Sequence, residues 1–567
     1  MKRFLGFLAA AVVAAGAVPE KFAPAPYETQ HMGGMLGERM RVNLEGRLLH
    51  VDEARLLRGF EQPPGEQAWI GEHAGKYLDA ACNTWRFTHD PRLKQQMDRI
   101  ARALMQSQRP DGYLGTYADD KRWTAWDVWV HKYDLIGLLN YHETTGDPRA
   151  LQVARGIGDL LVRTFGTGPG QRDLIAASTH VGMAASSVLE PMVTLYRQTG
   201  DQRYLGFCWY IVHSWDQPNG PKILASLRGT GSVFQTANAK AYEMMSDLIG
   251  VVELYRVTGD ESLLPPVLAA WHDIRDRRLY ITGATSSKEH FQDDHVLPGG
   301  DKDDVGEGCA TVTWLQLTWR LFKLTGETEY VGEMERTVYN QLLGAQDPHN
   351  GNICYFTPLN GAKKPTPGIN CCVSSEPRGI SLIPQIAWGS TERGPAMVLY
   401  TAGDFETPFA RIVSSTTFPA DGSVRLTIQQ AKRRRFTLQL RVPRWTGAFT
   451  ATVGKQVFRG EPGSWLAIER DWKAGDTVVI AIEMTVQVLP GGRSYPDSVA
   501  IQRGPEVLAA EDSLNPNGVT SPGAPPLALK TLPPPAGWSG TQVYSAGTLT
   551  LVPFADAIAM KVWLPAR

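Results

Sequence analysis

The chain has 567 residues, of which 43% are hydrophobic, and 57 Lys plus Arg stand against 58 Asp plus Glu. At about 150 residues per domain this length calls for two or three domains. A formal net charge of −1 offers no basic footprint for nucleic acid and no attraction to an anionic membrane, so a neutral partner is expected.

Met1-Lys2-Arg3, an apolar run from Phe4 to Ala15, and small residues at Ala15-Gly16-Ala17 read as a secretory leader over residues 1–17. That predicts export to a periplasmic or extracellular location. The run is shorter than the roughly 20 residues needed to span a bilayer. No later segment is apolar enough to do so, and a soluble mature protein with no membrane span is expected.

A repeated phrase then organises the chain: Thr145-Gly146-Asp147, Thr199-Gly200-Asp201, Thr258-Gly259-Asp260 and Thr325-Gly326-Glu327, with a degenerate copy at Phe87-Thr88-His89-Asp90. Each copy follows a stretch with apolar residues at i, i+3 and i+4, so glycine supplies the left-handed position that ends a helix. The acidic residue after it is suited to cap the next one. The glycines lie 54, 59 and 67 residues apart, room for a helix pair and a loop. Several such pairs closing on themselves make an (α/α)6 toroid over residues 18–395; an open helical solenoid is the alternative. The long loops 281–306 and 347–370 are expected to gather on one face and build a pocket.

From about Ala396 the pattern changes to period-two alternation in Met397–Tyr400, Arg425–Gln429, Phe436–Val442 and Thr477–Ile482. These runs predict antiparallel β-sandwich structure over 396–567. Pro, Gly and Ser dominate from Leu514 to Gly540, read as an extended loop or linker before last strands at 549–552 and 557–564. The fold class is therefore mainly α with a C-terminal β part.

Six cysteines do not make a disulfide framework in so long a chain. Cys82 and Cys208 sit among apolar residues and read as inert core thiols. The other four fall between Cys309 and Cys372, and vicinal Cys371-Cys372 are poor disulfide partners but good ligands for a soft metal. With Glu307 and Cys309 they make up one carboxylate and three thiols, enough for tetrahedral Zn2+. A closed four-ligand zinc is ordinarily structural, and spacing alone leaves structural and catalytic readings open.

The order Glu289, Glu307-x-Cys309, Cys371-Cys372 carries a resemblance. Supporting it are Tyr280-Ile281-Thr282-Gly283, Glu289-His290-Phe291, Leu297-Pro298, Tyr339-Asn340, Tyr355 with Pro358-Leu359, and Val499 to Pro505. The chain resembles the β-L-arabinofuranosidase-like proteins of glycoside hydrolase family 127 and the related family 146. The resemblance implies a retaining hydrolase that releases L-arabinofuranose or a related sugar from plant-type glycans. It implies Cys371 as nucleophile and zinc ligand, Glu307, Cys309 and Cys372 as the other ligands, and Glu289 as general acid/base. His131, His180 and Tyr355 are implied as substrate-binding residues. A carbohydrate is thus the expected partner, and a homodimer is allowed.

A free thiol titrates near 8.5, so a metal that holds Cys371 deprotonated would supply a nucleophile at neutral pH. The acid/base role calls for Glu289 to be raised towards neutrality. Trp123, Trp126 and Trp129 recur at i+3 and read as a packed helix face rather than a sugar platform. Asp293, Asp294, Asp301, Asp303 and Asp304 read as a solvated acidic loop. Two departures from the family pattern, Lys240 where many members carry His and the segment Val373–Arg378, predict altered sugar recognition. The alternatives from other classes are a noncatalytic glycan-binding protein with a structural zinc and a toroid-type polysaccharide lyase.

Overall fold

The computed structural model describes residues 17–538 and 540–567. The leader expected over 1–17 therefore lies, but for Ala17, outside the described residues. Among those residues, twelve helices build two concentric rings. They are α1 Gly34–Val42, α2 Glu72–Thr88, α3 Pro91–Gln106, α4 Asp127–Thr145, α5 Pro148–Thr164, α6 Leu189–Thr199, α7 Gln202–Ser214, α8 Ala241–Thr258, α9 Leu264–Asp273, α10 Gly308–Thr325, α11 Thr328–Arg336 and α12 Cys371–Ala387.

The even-numbered helices form the inner ring. Each packs on the next, and α12 packs back on α2, which closes the toroid and excludes the open solenoid. The odd-numbered helices wrap the outside, with α1 packing against α12. Patterning explains the two layers. Outer α3 buries one stripe, Leu93, Met97, Ile100, Ala101 and Leu104, whereas inner α8 is buried on every side from Ala241 to Leu254.

The repeated phrase is the end of an inner helix. Gly146, Gly200, Gly259 and Gly326 take left-handed φ of 73°, 71°, 69° and 73°, and His89 does the same at 52° in the degenerate copy. Threonine is there for a reason the phrase alone does not disclose. Thr145 Oγ1 donates to Tyr141 O at 2.7 Å and accepts from Asp147 N–H at 3.2 Å, and Thr199, Thr258 and Thr325 repeat both bonds. Asp90, Asp147 and Asp201 then cap α3, α5 and α7 as expected. Two copies depart. Asp260 closes a turn on Ser262 N–H because α9 starts later, at Leu264, and Glu327 makes no side-chain cap, its carboxylate standing on a longer stem than the short residues that cap well.

Beyond Ala387 the chain is β. A five-stranded sheet runs Ala23–Pro24, Trp388–Thr391, Gly394–Met397, Arg435–Arg441, Trp465–Asp471. It faces a seven-stranded sheet of Gln456–Arg459, Phe449–Val453, Thr477–Ile482, Ser423–Ala431, Ala410–Thr416, Gly403–Glu406 and His31–Met32. The period-two alternation is plain in Ser423–Ala431, which buries Val424, Leu426 and Ile428, and Trp388 stacks on Phe405 across the two sheets at 4.9 Å. One pairing is parallel, Gln439 opposite Ala396. Short strands from the N-terminal segment complete an edge of each sheet, so residues 23–32 belong to this sandwich as well as leading into the toroid.

A third, nine-stranded antiparallel sheet takes eight of its strands from Val486 to Pro565. The Pro-rich stretch read as a linker contributes a strand to it, Lys530–Leu532, paired with Val543–Ala546. This sheet also takes Asn360–Ala362 from a loop of the toroid, with Ala362 opposite Ala559. The loop carrying Tyr355 thus rests on the last sheet. Five inner helices bring their N-terminal ends to one mouth, with Glu72 of α2, Trp129 of α4, Glu243 of α8, Glu307 before α10 and Cys371 of α12 lining one cavity.

Candidate active site

Cys371 and Cys372 open α12, whose first turn is capped by Asn370 accepting from Val373 N–H at 2.9 Å. On the neighbouring inner helix, Glu307 precedes α10 and Cys309 lies in its first turn. Packing α10 on α12 brings one ligand atom from each of the four residues within 4.8 Å of the others. Cys372 Sγ is 3.7 Å from Cys309 Sγ and 3.9 Å from both Cys371 Sγ and Glu307 Oε1. Sulfur atoms about 2.3 Å from a shared tetrahedral ion stand roughly 3.8 Å apart, so these spacings fit a zinc-sized cation.

Electrostatics also favours a cation there. Burial pushes Glu307, Cys309 and Cys372 well above their ordinary values, and Glu307 Oε2 has no hydrogen-bond partner. Lys76 Nζ lies 3.9 Å from Cys309 Sγ but is already committed to Glu72 Oε1 at 2.9 Å. Three thiols and a carboxylate drawn into one dry space suit a thiophilic ion better than they suit each other. Cys371 is the exception in direction: hydrogen bonding from Cys309 and Cys372 holds its thiol below the ordinary value.

A cavity of about 210 Å³ opens over Cys371. Its wall includes Trp69, Trp126, Trp129, Lys240, Glu243, Glu289 and Tyr355. Glu289 comes from the long loop after Tyr280, in left-handed backbone at φ 64°. The loop is pinned to the start of α8 by Ala241 N–H on Glu289 O at 3.1 Å and Phe291 N–H on Ala239 O at 2.9 Å. Tyr355 OH donates to Glu289 Oε1 at 2.7 Å and accepts from Cys371 Sγ at 3.0 Å. Lys240 Nζ ion-pairs with Glu289 Oε2.

That ion pair corrects one expectation. Burial does raise Glu289, but Lys240 and the Tyr355 hydroxyl outweigh it and hold the carboxyl below the usual carboxylate range. His131 is a second correction. It is wholly buried, its Nδ1 is 2.8 Å from Asp127 O, and its ring packs between Tyr113 and Trp123 at 4.8 and 5.3 Å. It does not line the cavity, because α4 begins at Asp127 and turns Trp129, not His131, to the mouth.

His180 stands beside the cavity rather than on its wall, against Trp126 at 5.3 Å and with Nε2 3.9 Å from Glu243 Oε1. Burial, then Lys240, lowers it to about 4. The tryptophans divide: Trp123 is packed away, while Trp126 and Trp129 line the cavity and Trp129 Nε1 donates to Glu72 Oε2. The acidic loop is tied down, not merely solvated, with Asp294 on Arg278 at 2.8 Å and Asp301 accepting from Ala362 N–H at 3.0 Å. Cys82 and Cys208 are buried core thiols, and Cys354 lies in the short strand Ile353–Cys354 outside the cluster.

Glu72, Lys76, Trp69 and Glu243 were not singled out from the sequence. Glu72 and Lys76 stand i,i+4 on α2, a spacing common in surface ion pairs, yet both are buried, with Lys76 Nζ 3.9 Å from Cys309 Sγ.

A closed helical toroid with a thiol-rich cluster and a carboxyl-bearing cavity at one mouth has the makings of an enzyme site, and comparison with known proteins gives the class. Residues 40–385 match the model of the β-L-arabinofuranosidase GH127 catalytic domain, and residues 396–484 match the GH127 middle domain. The chain belongs to glycoside hydrolase family 127, the β-L-arabinofuranosidase family. It is therefore a glycoside hydrolase with a carbohydrate substrate, and the readings as a noncatalytic binder or a lyase give way.

It is 26% identical over 505 residues to a non-reducing end β-L-arabinofuranosidase of Bifidobacterium longum subsp. longum, covering 78% of this chain and 75% of that protein. Its fold superposes on a GH127 β-arabinofuranosidase with a TM-score of 0.81 at 21% identity, covering 97% of this chain and 98% of the other. It superposes also on a GH127 β-L-arabinofuranosidase of Geobacillus stearothermophilus T6 with a TM-score of 0.78 at 21% identity, covering 94% and 99%. No helix of the described residues is long and apolar enough to cross a membrane.

Proposed function

We propose that this enzyme releases L-arabinofuranose, or a closely related sugar, from plant-type glycans by a retaining double displacement with Cys371 as nucleophile and Glu289 as general acid/base. The observation that carries the reading is the hydrogen-bonded bridge Cys371–Tyr355–Glu289 at the floor of the cavity. Two bonds of 3.0 and 2.7 Å end to end hold the Cys371 sulfur and the near carboxylate oxygen no more than about 5.7 Å apart. Retaining sites keep nucleophile and acid/base about 5 to 5.5 Å apart, inverting sites roughly 6.5 Å or more.

A Zn2+ ion held by Glu307, Cys309, Cys371 and Cys372 would supply the positive charge that keeps the buried thiols ionised. The chain's own residues do the rest. The first step runs from the protonated form of Glu289, a form the Lys240 ion pair keeps scarce near neutrality: Cys371 sulfur attacks the anomeric carbon, and the bond to the leaving oxygen breaks as Glu289 passes that proton to it. Glu289, now a carboxylate, takes a proton from water; the water oxygen attacks the same carbon and the carbon–sulfur bond breaks, returning the thiolate. The N-terminus of α12 favours the anionic sulfur in both steps. Tyr355 and Lys240 hold the two carboxylate oxygens of Glu289, and so orient it between turnovers.

Proton NMR of the first-formed sugar from a β-L-arabinofuranoside tests the stereochemistry, and intact mass after trapping with Glu289→Ala tests the covalent intermediate. Retention with a glycosyl adduct on Cys371 is expected. An inverted product, or full turnover by Cys371→Ser, sinks the reading. On the strength of the basic and apolar residues 2–15 the enzyme is proposed to act outside the cytoplasm; cell fractionation that leaves the full-length chain in the cytoplasm removes that part alone.

A further inference from the structure

Around the cavity nearly every carboxyl oxygen is spoken for. Glu72 is held by Lys76 and Trp129, Glu289 by Tyr355 and Lys240, and Glu307 belongs to the thiol cluster. Glu243 differs. It sits in the first turn of α8, three residues after Lys240 and so on the same face of the helix. It lines the cavity at 2% exposure. Its Oε1 has only His180 Nε2 at 3.9 Å, and its Oε2 has no partner.

A buried carboxyl oxygen without a partner is costly, and native proteins keep one where something else is to fill it. The nearest cation is not available for the purpose, since Lys240 Nζ is committed to Glu289. Gln67 Oε1, also on the cavity wall, is unpartnered too. Two residues of one small cavity wall, each with a buried acceptor unmet, suit a ligand that brings several hydroxyl groups.

Resting on the hydrolase reading above, we propose that Glu243 is a substrate-binding residue that reads one free hydroxyl of the sugar held over Cys371, and that the enzyme therefore rejects sugars deoxygenated or substituted at that hydroxyl. Burial, opposed by Lys240, raises the Glu243 carboxyl to about 7, so near neutrality it offers both a donor and an acceptor, which a hydroxyl matches in either direction.

The test is a cycle between protein and substrate. The wild type, Glu243→Leu and Glu243→Gln are assayed on the glycoside that the wild type cleaves best and on its mono-deoxy and mono-O-methyl derivatives. For the wild type, one position is expected to cost roughly 10- to 100-fold in kcat/KM when its hydroxyl is removed, the loss falling mainly on KM. Glu243→Leu carries that loss already on the parent sugar, so removing the same hydroxyl costs it less than about threefold, while penalties at the other positions are unchanged.

Glu243→Gln keeps the volume and covers the case in which leucine misfolds: its penalty at that one position changes and the others do not. If both variants show every deoxy penalty as in the wild type, Glu243 reads no hydroxyl and the proposal fails. An inverted product or a fully active Cys371→Ser would instead remove the underlying mechanism, a separate result on different variants.

Discussion

The two ends of the six inner helices differ sharply although the same helices make both. At the base, charge meets charge. Glu253 takes Arg256 at 2.9 Å, Arg320 at 3.0 Å and Arg197 at 3.5 Å; Glu20 takes Lys323 at 2.7 Å and Arg256 at 2.9 Å; Arg378 holds Asp79 at 2.7 Å. Arg86, Arg197, Arg256 and Lys323 stand in last turns, where the helix dipole favours cations. At the mouth the same dipoles favour anions, yet Glu243, Glu307 and Glu376 keep buried oxygens without partners. One end is a platform of paired charges, and the other keeps buried acceptors unmet beside a cluster that could hold a metal ion. Unmet demand is what makes a site out of a helix bundle.

Experiments on the mouth should abolish activity, and experiments on the base should cost only stability. The largest effect is expected from metal removal: a strong chelator lowers turnover by more than about 10³-fold and reduces the melting temperature, and added Zn2+ restores both. Metal content and calorimetry check it, and full activity in metal-free protein would break the contrast at once. Glu289→Gln should cost roughly 10² to 10⁴ in kcat with native circular dichroism, measured by steady-state kinetics.

At the base, Glu253→Gln takes one of two carboxylates from each of the partly buried Arg256 and Arg320 and should destabilise by about 1–3 kcal/mol, with kcat/KM at 25 °C unchanged. Denaturant unfolding alongside kinetics checks both halves. The same residue predicts an acid response. Its folded value, about 2, is depressed below the ordinary 4.5. Its stabilisation is therefore complete above about 4.5 and is lost as pH falls towards 2, a slope that Glu253→Gln should flatten in pH-dependent melting.

Lys240→Met sharpens the contrast within the mouth. Lys240 holds Glu289 low, so its removal raises Glu289. The limb of the kcat/KM profile on which the acid loses its proton should then move to higher pH; a limb that stays put would detach Lys240 from the acid/base. The smallest effect belongs to the scaffold: Asp147→Ala removes the cap on Arg149 N–H and should cost about 1 kcal/mol with no change in kinetics.

The scaffold was legible because its signals are local. A Thr-Gly-Asp phrase needs only its own turn to end a helix, and alternation needs only its own strand to choose a face. The cluster that could hold a metal was legible for the same reason, since vicinal Cys371-Cys372 and Glu307-x-Cys309 each fall at the start of one helix. Glu243 and Lys76 were not, because a polar residue near a helix start reads as solvated until other helices surround it. His131 failed through helix phase: with α4 starting at Asp127, its ring meets Tyr113 and Trp123 instead of the cavity. The short strands at Ala23–Pro24 and His31–Met32 carry no alternation, and only the sheet edges they join define them.

The sequence by itself determined the helix ends, the change from toroid to β structure, the family, and which thiols and carboxylates stand ready for a metal, since short-range sterics and residue chemistry decide all of these. Tertiary structure alone decided that five helix N-termini share one mouth, that Lys240 grips Glu289, and that Glu243 is left with a free oxygen. Those outcomes depend on closing a ring across several hundred residues, and burial by distant neighbours is what turns an ordinary glutamate into one with an unmet bond.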